Sequence, residues 1–264
     1  MINEDREKAG LKPVELSDNI AAQIHAENML KNYYLSHWDT NGSKPYMQYT
    51  QHGGLAFVSQ NCGWYVFYYE GPLKKSLNPN LAIAALEYDM VYDDASSNWG
   101  HRDNILDKWH NKVSIGIAYD ETHLALVQNF ENDYITWNKK IEYSNGTISL
   151  SGKTSLGELQ AIAIYYDPLP TPLTKDQLLK YPYNGAYSLG DEIGYILPSP
   201  YYTKKQEYVH ASKWTVISSG FFDITADITP FLKHGNGVYT VVVWIKMGDE
   251  DVPLTNYSIY IIED

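Results

Sequence analysis

The sequence has a single cysteine, Cys62, among its 264 residues, so no intramolecular disulfide can staple the fold. A chain this long can bury enough apolar surface to fold without one. It has no run of about 18 apolar residues, which excludes a membrane-spanning helix. It also lacks cationic clusters. The net charge is −12, with 12 Lys/Arg against 18 Asp/Glu in residues 1–140 and 8 against 14 in residues 141–264. A duplex-binding protein displaces counterions with clustered cations, and anionic membrane surfaces demand the same. Nucleic acid is therefore excluded as the expected partner. No apolar export segment precedes the charged opening Met1-Ile2-Asn3-Glu4-Asp5-Arg6. Either the protein stays in the cytosol or an export segment has been removed ahead of Met1.

What is abundant is tyrosine, with 24 residues, in a chain that is 44% hydrophobic. That suits β-rich surfaces that bury a ring and leave a hydroxyl wet. Three Asn-x-Ser/Thr sequons, at Asn41, Asn145 and Asn256, are close to the number that chance gives.

Residues 1–140 mix helical and strand periods. Ser17 or Asp18 caps a helix running to about Tyr34, with Ile20 and Ile24 on one face. Gly53-Gly54 and Gly71-Pro72 bracket a strand-like aromatic stretch, Trp64 to Tyr69. A helix from about Leu81 to Ala95 places Ile83, Leu86 and Met90 at helical spacing, and a short one follows over Gly100–Asp107. Alternation from Val113 to Tyr119, a turn at Asp120-Glu121-Thr122 and a return from Leu124 to Phe130 predict a hairpin.

From about Ile141 the helical period fades. Asn145-Gly146 marks a tight hairpin. Strands are predicted at 161–166, 193–197, 208–217, 238–246 and 256–262. A Pro-rich connector at 168–172 interrupts them, followed by a short helix near Gln177. Many short strands with turns between them predict an all-β, Ig-like β-sandwich over 141–264.

Four motifs in the first half carry a family resemblance. They are Asn3-x-x-Arg6-x-x-x-Gly10-Leu11-x-Pro13, the segment Ser36-His37-Trp38-Asp39-Thr40-Asn41-Gly42, the element Gly100-His101-Arg102-Asp103-Asn104-Ile105-Leu106, and the strand Val113–Ala118 after it. In this order they resemble the CAP superfamily of pathogenesis-related and SCP-like extracellular proteins, and the Gly-His-Arg-x-Asn-Ile-Leu form resembles its prokaryotic branch. The resemblance implies an α/β fold, an α/β/α sandwich CAP domain, over 1–140, followed by the β domain. It also implies an extracellular or cell-surface location.

In that family two histidines and two acidic residues line a cleft that in several members holds a divalent cation. His37 and His101 match directly. Ser59-Gln60-Asn61 stands where Gly/Ala-Glu-Asn is usual, so Gln60 replaces a carboxylate, and Glu87 is the best match for the second acid. The resemblance thus implies a ligand-binding cleft of His37, Gln60, Glu87 and His101, with His37, His101 and Glu87 as metal ligands for Zn²⁺ or another divalent cation. If these groups converge, the carboxylate should raise at least one histidine pKa.

Glu87 can also be argued from spacing, because Ile83, Ala84, Met90 and Val91 surround it at i±3 and i±4. A carboxylate in an apolar stripe needs a partner. Asp89, Asp93 and Asp94 read as solvated surface, His25 as structural, and His52 and His110 as surface histidines. Cys62 reads as a small buried hydrophobe. Gly248-Asp249-Glu250-Asp251 reads as a polar hairpin turn rather than a Ca²⁺ loop.

Two functions stay open. The first is a binding module whose cleft takes a small ligand, lipid, peptide or surface polymer, with the sandwich serving adhesion or assembly. The second is a metal-assisted hydrolase in which His37, Glu87 and His101 are the catalytic candidates.

Overall fold

The computed structural model describes residues 1–70, 75–204 and 206–262, so the predicted turn at Gly71-Pro72 lies outside the described residues. The chain divides into two compact units. The first holds 1–53, 58–131 and 170–187, and the second 54–57, 132–169 and 188–264. A single cut near 140 does not reproduce this partition, because residues 170–187 return to the first unit.

In the first unit, α1 (Ile2–Lys8), β1 (Glu15–Leu16), α2 (Ala21–Asn32) and α3 (Pro45–Gln51) precede β2 (Phe57–Val66). Then come α4 (Pro79–Tyr92), α5 (Gly100–Ile105), β3 (Lys112–Tyr119) and β4 (His123–Asn132). The predicted aromatic strand is displaced upstream, since β2 ends before Phe67. The predicted hairpin is β3–β4, with Tyr119 opposite Leu124. The four strands form one sheet in the order β1-β3-β4-β2.

Strand alternation on β4 explains the layers. Leu124, Leu126 and Phe130 join a core cluster with Ala82, Leu86, Met90 and Val91 of α4 and Ile105 of α5. Ala125 and Val127 join another with Ala22, Ala26 and Met29 of α2, together with Tyr34, Trp38 and Cys62. The sheet is thus covered by α4 and α5 on one face and by α2 on the other. That arrangement is the expected α/β/α sandwich.

Leu173 and Leu178 belong to the α2-side cluster. They flank or lie on α6 (Lys175–Leu178), whose Thr174 and Gln177 form a capping box.

Among its described residues the second unit has strands and one 3₁₀ turn, Thr229–His234. Its strands are β5 (Ile135–Ser144), β6 (Thr147–Thr154), β7 (Leu159–Pro168), β8 (Asp191–Leu197), β9 (Tyr208–His210), β10 (Lys213–Val216), β11 (Phe221–Asp227), β12 (Gly237–Met247), β13 (Glu250–Pro253) and β14 (Tyr257–Ile261). One sheet runs β10-β11-β6-β5; the other runs β13-β12-β7-β8-β9 with β14 also on β12. The tight turn at Asn145-Gly146 joins β5 to β6, with Ser144 opposite Thr147. Gly248-Asp249 turns β12 into β13, with Met247 opposite Glu250. The predicted strand 208–217 is two strands in different sheets, because the chain breaks at Ala211-Ser212 between β9 and β10.

Candidate functional site

His37 lies in the loop after α2. Its Nδ1 is 3.0 Å from the Gln60 Oε1 on β2, and that oxygen also accepts the Cys62 thiol at 3.0 Å. The other end of the carboxamide, Nε2, donates to the Asn129 Oδ1 on β4 at 3.0 Å. An oxygen facing the ring puts the proton on His37 Nδ1 and leaves Nε2 with a lone pair. Burial presses the His37 pKa down to about 4; the bond to Gln60 opposes this, and the charges of His25 and His101 add to it. The expected rise in a histidine pKa is therefore reversed at His37. A neutral carboxamide supplies no charge to offset desolvation. His101 does come within electrostatic reach of His37.

His101 opens α5, and its Nδ1 is 2.7 Å from Asp94 Oδ1. The other Asp94 oxygen accepts the backbone N–H groups of His101 and Arg102, at 2.9 and 3.1 Å. Burial favours the neutral acid, yet these bonds outweigh it and hold the Asp94 carboxyl below its ordinary value. Asp94 is 3% exposed and is no solvated surface residue. The turn that delivers His101 is strained, since Asn98 and Trp99 both lie in the left-handed region, at φ 53° and 63°.

Glu87 is not brought to His37, and among the described residues neither of its oxygens bonds a histidine. Its Oε2 accepts the Gln128 amide at 2.6 Å, and its Oε1 is buried without a partner among the described residues. Gln128 and Asn129 are adjacent on β4 and so point to opposite faces of the sheet. Gln60 and His37 therefore lie on the α2 face, and Glu87 lies within the α4 cluster. The apolar spacing around Glu87 was a true sign of burial, but a partner on the covering strand, not a shared cleft, answers it.

Burial pushes the Glu87 carboxyl above its ordinary 4.5, with the Gln128 bond opposing and Asp5 adding. A raised acid pKa makes the folded state bind more protons than the unfolded state. This contribution to stability is then lost as pH rises from about 4.5 through the folded value. Glu87→Gln should remove that component. Urea unfolding at pH 5 and pH 8 should show a smaller fall in stability with pH for the variant, and parallel losses would contradict the assignment.

The sequence reading missed several supporting groups. Asn104 of the Gly-His-Arg-x-Asn element donates to Asn61 Oδ1 at 2.9 Å, and its Oδ1 accepts from Ser59 and faces His110 Nε2 at 2.9 Å. Asn61 in turn donates to the His101 carbonyl at 3.0 Å. His110 is buried and stacked on Phe130, not a surface histidine. His25 is fully buried, with Nε2 2.8 Å from the Ser36 carbonyl and Nδ1 3.6 Å from Asp39, which supports its structural reading. His52 is exposed. Cys62 is buried and burial pushes its thiol up, so it is a poor nucleophile.

The donor set does not fit a three-ligand metal centre. Among the described residues no three His, Cys, Asp or Glu side chains are grouped to hold an ion. Glu87 lies across the sheet from His37, and both Asp94 oxygens are engaged. Among the described residues, His37 and His101 each keep an Nε2 that no protein group bonds.

Residues 1–130 match the model of the CAP family, described as the cysteine-rich secretory protein family. This part of the chain is a CAP domain. An extracellular protein containing a SCP domain from Bacillus anthracis str. Ames is similar at 21% identity and TM-score 0.36, over 50% of this chain and 38% of that one. The CAP domain of Enterococcal PrgA is similar at 14% identity and TM-score 0.35, over 55% of this chain and 62% of that one. The chain thus spans less than two thirds of either structure. No curated protein matches it. Among the described residues no helix is long and apolar enough to cross a membrane.

Proposed function

We propose that this is an extracellular or cell-surface CAP-domain protein that binds its ligand rather than transforming it. The carrying observation is that His37 and His101 each spend Nδ1 on a buried acceptor, Gln60 or Asp94, and present Nε2 as an acceptor. Such a pair suits a small ligand rich in hydrogen-bond donors, or a cation held by two imidazoles and by groups from outside the chain. The family's secretory description supports the location. Metal-assisted hydrolysis is supported less, because it needs a third ligand or a base beside both histidines, and Glu87 bonds Gln128 across the sheet from His37. The second unit, which we read as an Ig-like sandwich, would serve adhesion or assembly to a surface polymer. Its exposed Tyr201 and Tyr202, at 69% and 67%, support that role.

Gln60→Glu tests the site. The amide nitrogen of Asn129 is buried without a partner, so rotating that amide would satisfy the new carboxylate at little cost. A carboxylate beside Nδ1 should raise the His37 pKa from about 4 by roughly two pH units. As an outer partner it should also strengthen Zn²⁺ binding about tenfold. NMR titration and calorimetry with Zn²⁺ on both proteins would check this. An unchanged His37 pKa would show that Gln60 does not govern the ring. Wild-type affinity matched by His37→Ala and His101→Ala would remove the histidines from the site. The natural ligand class is then sought by chemical-shift mapping with sugars, acyl lipids and peptides, scored at His37 and His101.

A further inference from the structure

Residues 170–187 lie beyond the family-matched region, yet they bind the His37 loop almost residue by residue. Ser36 Oγ donates to the Tyr183 carbonyl at 2.6 Å. The Trp38 ring meets Tyr183 edge-on, with centroids 5.5 Å apart. The Thr40 carbonyl accepts from Leu173 N at 2.8 Å. Gly42, at φ +85°, lets the Thr171 backbone approach where a Cβ would collide with it. Between these anchors the Tyr187 ring covers His37, with centroids 4.9 Å apart, and the Tyr187 hydroxyl accepts the Gln60 backbone N–H at 3.0 Å. Most of the segment is otherwise exposed, and only Leu173 and Leu178 are buried.

We propose that Tyr187 is a positioning residue of the His37 site, its ring fixing the imidazole and its hydroxyl fixing the strand position from which Gln60 reaches Nδ1. The CAP domain then completes its histidine site only with a segment supplied after β7. The hydroxyl has a definite reason to sit there: without it, the Gln60 N–H would lose its partner beside the buried carboxamide. The ring has another, because it packs on the imidazole and blocks the rotation that would break the Nδ1 contact with Gln60. The titratable groups facing His37 are His25 from α2, Cys62 from β2, His101 from α5 and Tyr187 itself. The inference stands on this geometry and not on which ligand the site takes.

The experiment is histidine ¹⁵N NMR on the full chain at neutral pH, which reads the ring tautomer directly. Tyr187→Ala should shift the His37 ring resonances and weaken the Nδ1–H signature by mixing in the other tautomer. Tyr187→Phe should keep the Nδ1–H signature while shifting the Gln60 amide resonance. Tyr181→Ala, 89% exposed on the same segment, should change neither. An unchanged His37 in Tyr187→Ala, or an equal change in Tyr181→Ala, overturns the proposal. If Tyr187→Ala does not fold, Tyr187→Phe decides alone, and unmoved Gln60 and His37 resonances overturn it. Zn²⁺ binding is not the readout, so failure here is distinct from failure of the binding function.

Discussion

Arg6→Ala is expected to cost the first unit about 4 kcal/mol, a large fraction of the roughly 5–15 kcal/mol that keeps an ordinary domain folded. Arg6 has no exposed surface. Its guanidinium donates to the carbonyls of Lys12, Ile105, Asp107 and His110, at 2.9, 2.7, 2.9 and 3.1 Å. Three of those carbonyls lie at or just beyond the end of α5, where a helix leaves its last acceptors unpaired. Removing the side chain strands the buried Ile105 and His110 acceptors at roughly 1–3 kcal/mol each, frees two part-buried ones that water can reach, and opens a cavity.

Arg6→Lys should recover little of this. One ammonium cannot span four carbonyls that a planar fork reaches from several nitrogens. Urea unfolding must be followed by a signal from the first unit, because two units need not unfold together. A loss under about 1 kcal/mol would mean that the carbonyls rehydrate freely and that the arginine is no keystone.

This also explains why Arg6 and the Gly-His-Arg-x-Asn-Ile-Leu element occur together. The arginine of the first motif ties down the end of the short helix whose start carries His101. Spacing alone could not show it, since the bonded residues are about 100 positions apart. The same limit governs the rest of the site. The helix and strand periods of the first half were legible, and so was the burial of Glu87 among Ile83, Leu86 and Met90. Parity within a strand was legible too, but not which helix covers which face. Gln128 and Asn129 are neighbours in sequence and serve different faces, so Glu87 and Gln60 separate.

Asp94 was hidden for a different reason. It follows Asp93 at the end of α4 and looks like a solvated pair, and only the left-handed turn at Asn98-Trp99 brings the backbone of His101 back to it. Tyr187 gave no local signal at all. It follows a proline-rich stretch that reads as a connector, and its partners come from the loop after α2 and from β2. Of that segment only the short helix near Gln177 was read from the sequence, and it is α6.

Gly116→Ala is expected to be the other large effect, about 2–4 kcal/mol, with a consequence for His37 that Arg6 substitutions lack. Gly116 lies in β3 beneath α2. A Cβ there would fall inside contact distance of the carbonyl carbon and oxygen of Ala22 and the nitrogen of Gln23, all backbone atoms. Backbone cannot step aside as a side-chain tip can, so α2 must lift from the sheet. Ala22, Ala26 and Met29 would then lose packing against Ala125 and Val127.

The helix also carries His25, whose ring bonds the Ser36 carbonyl next to His37. Lifting α2 should therefore disturb His37 and Gln60, while His101, held by Asp94 from the other side of the sequence, keeps its resonances. Thermal unfolding combined with a histidine NMR spectrum of Gly116→Ala would check both parts. Equal disturbance of His37 and His101 would argue for general loosening of the unit. A melting temperature within a degree or two of wild type would show that the α2–β3 approach is softer than the backbone contact implies.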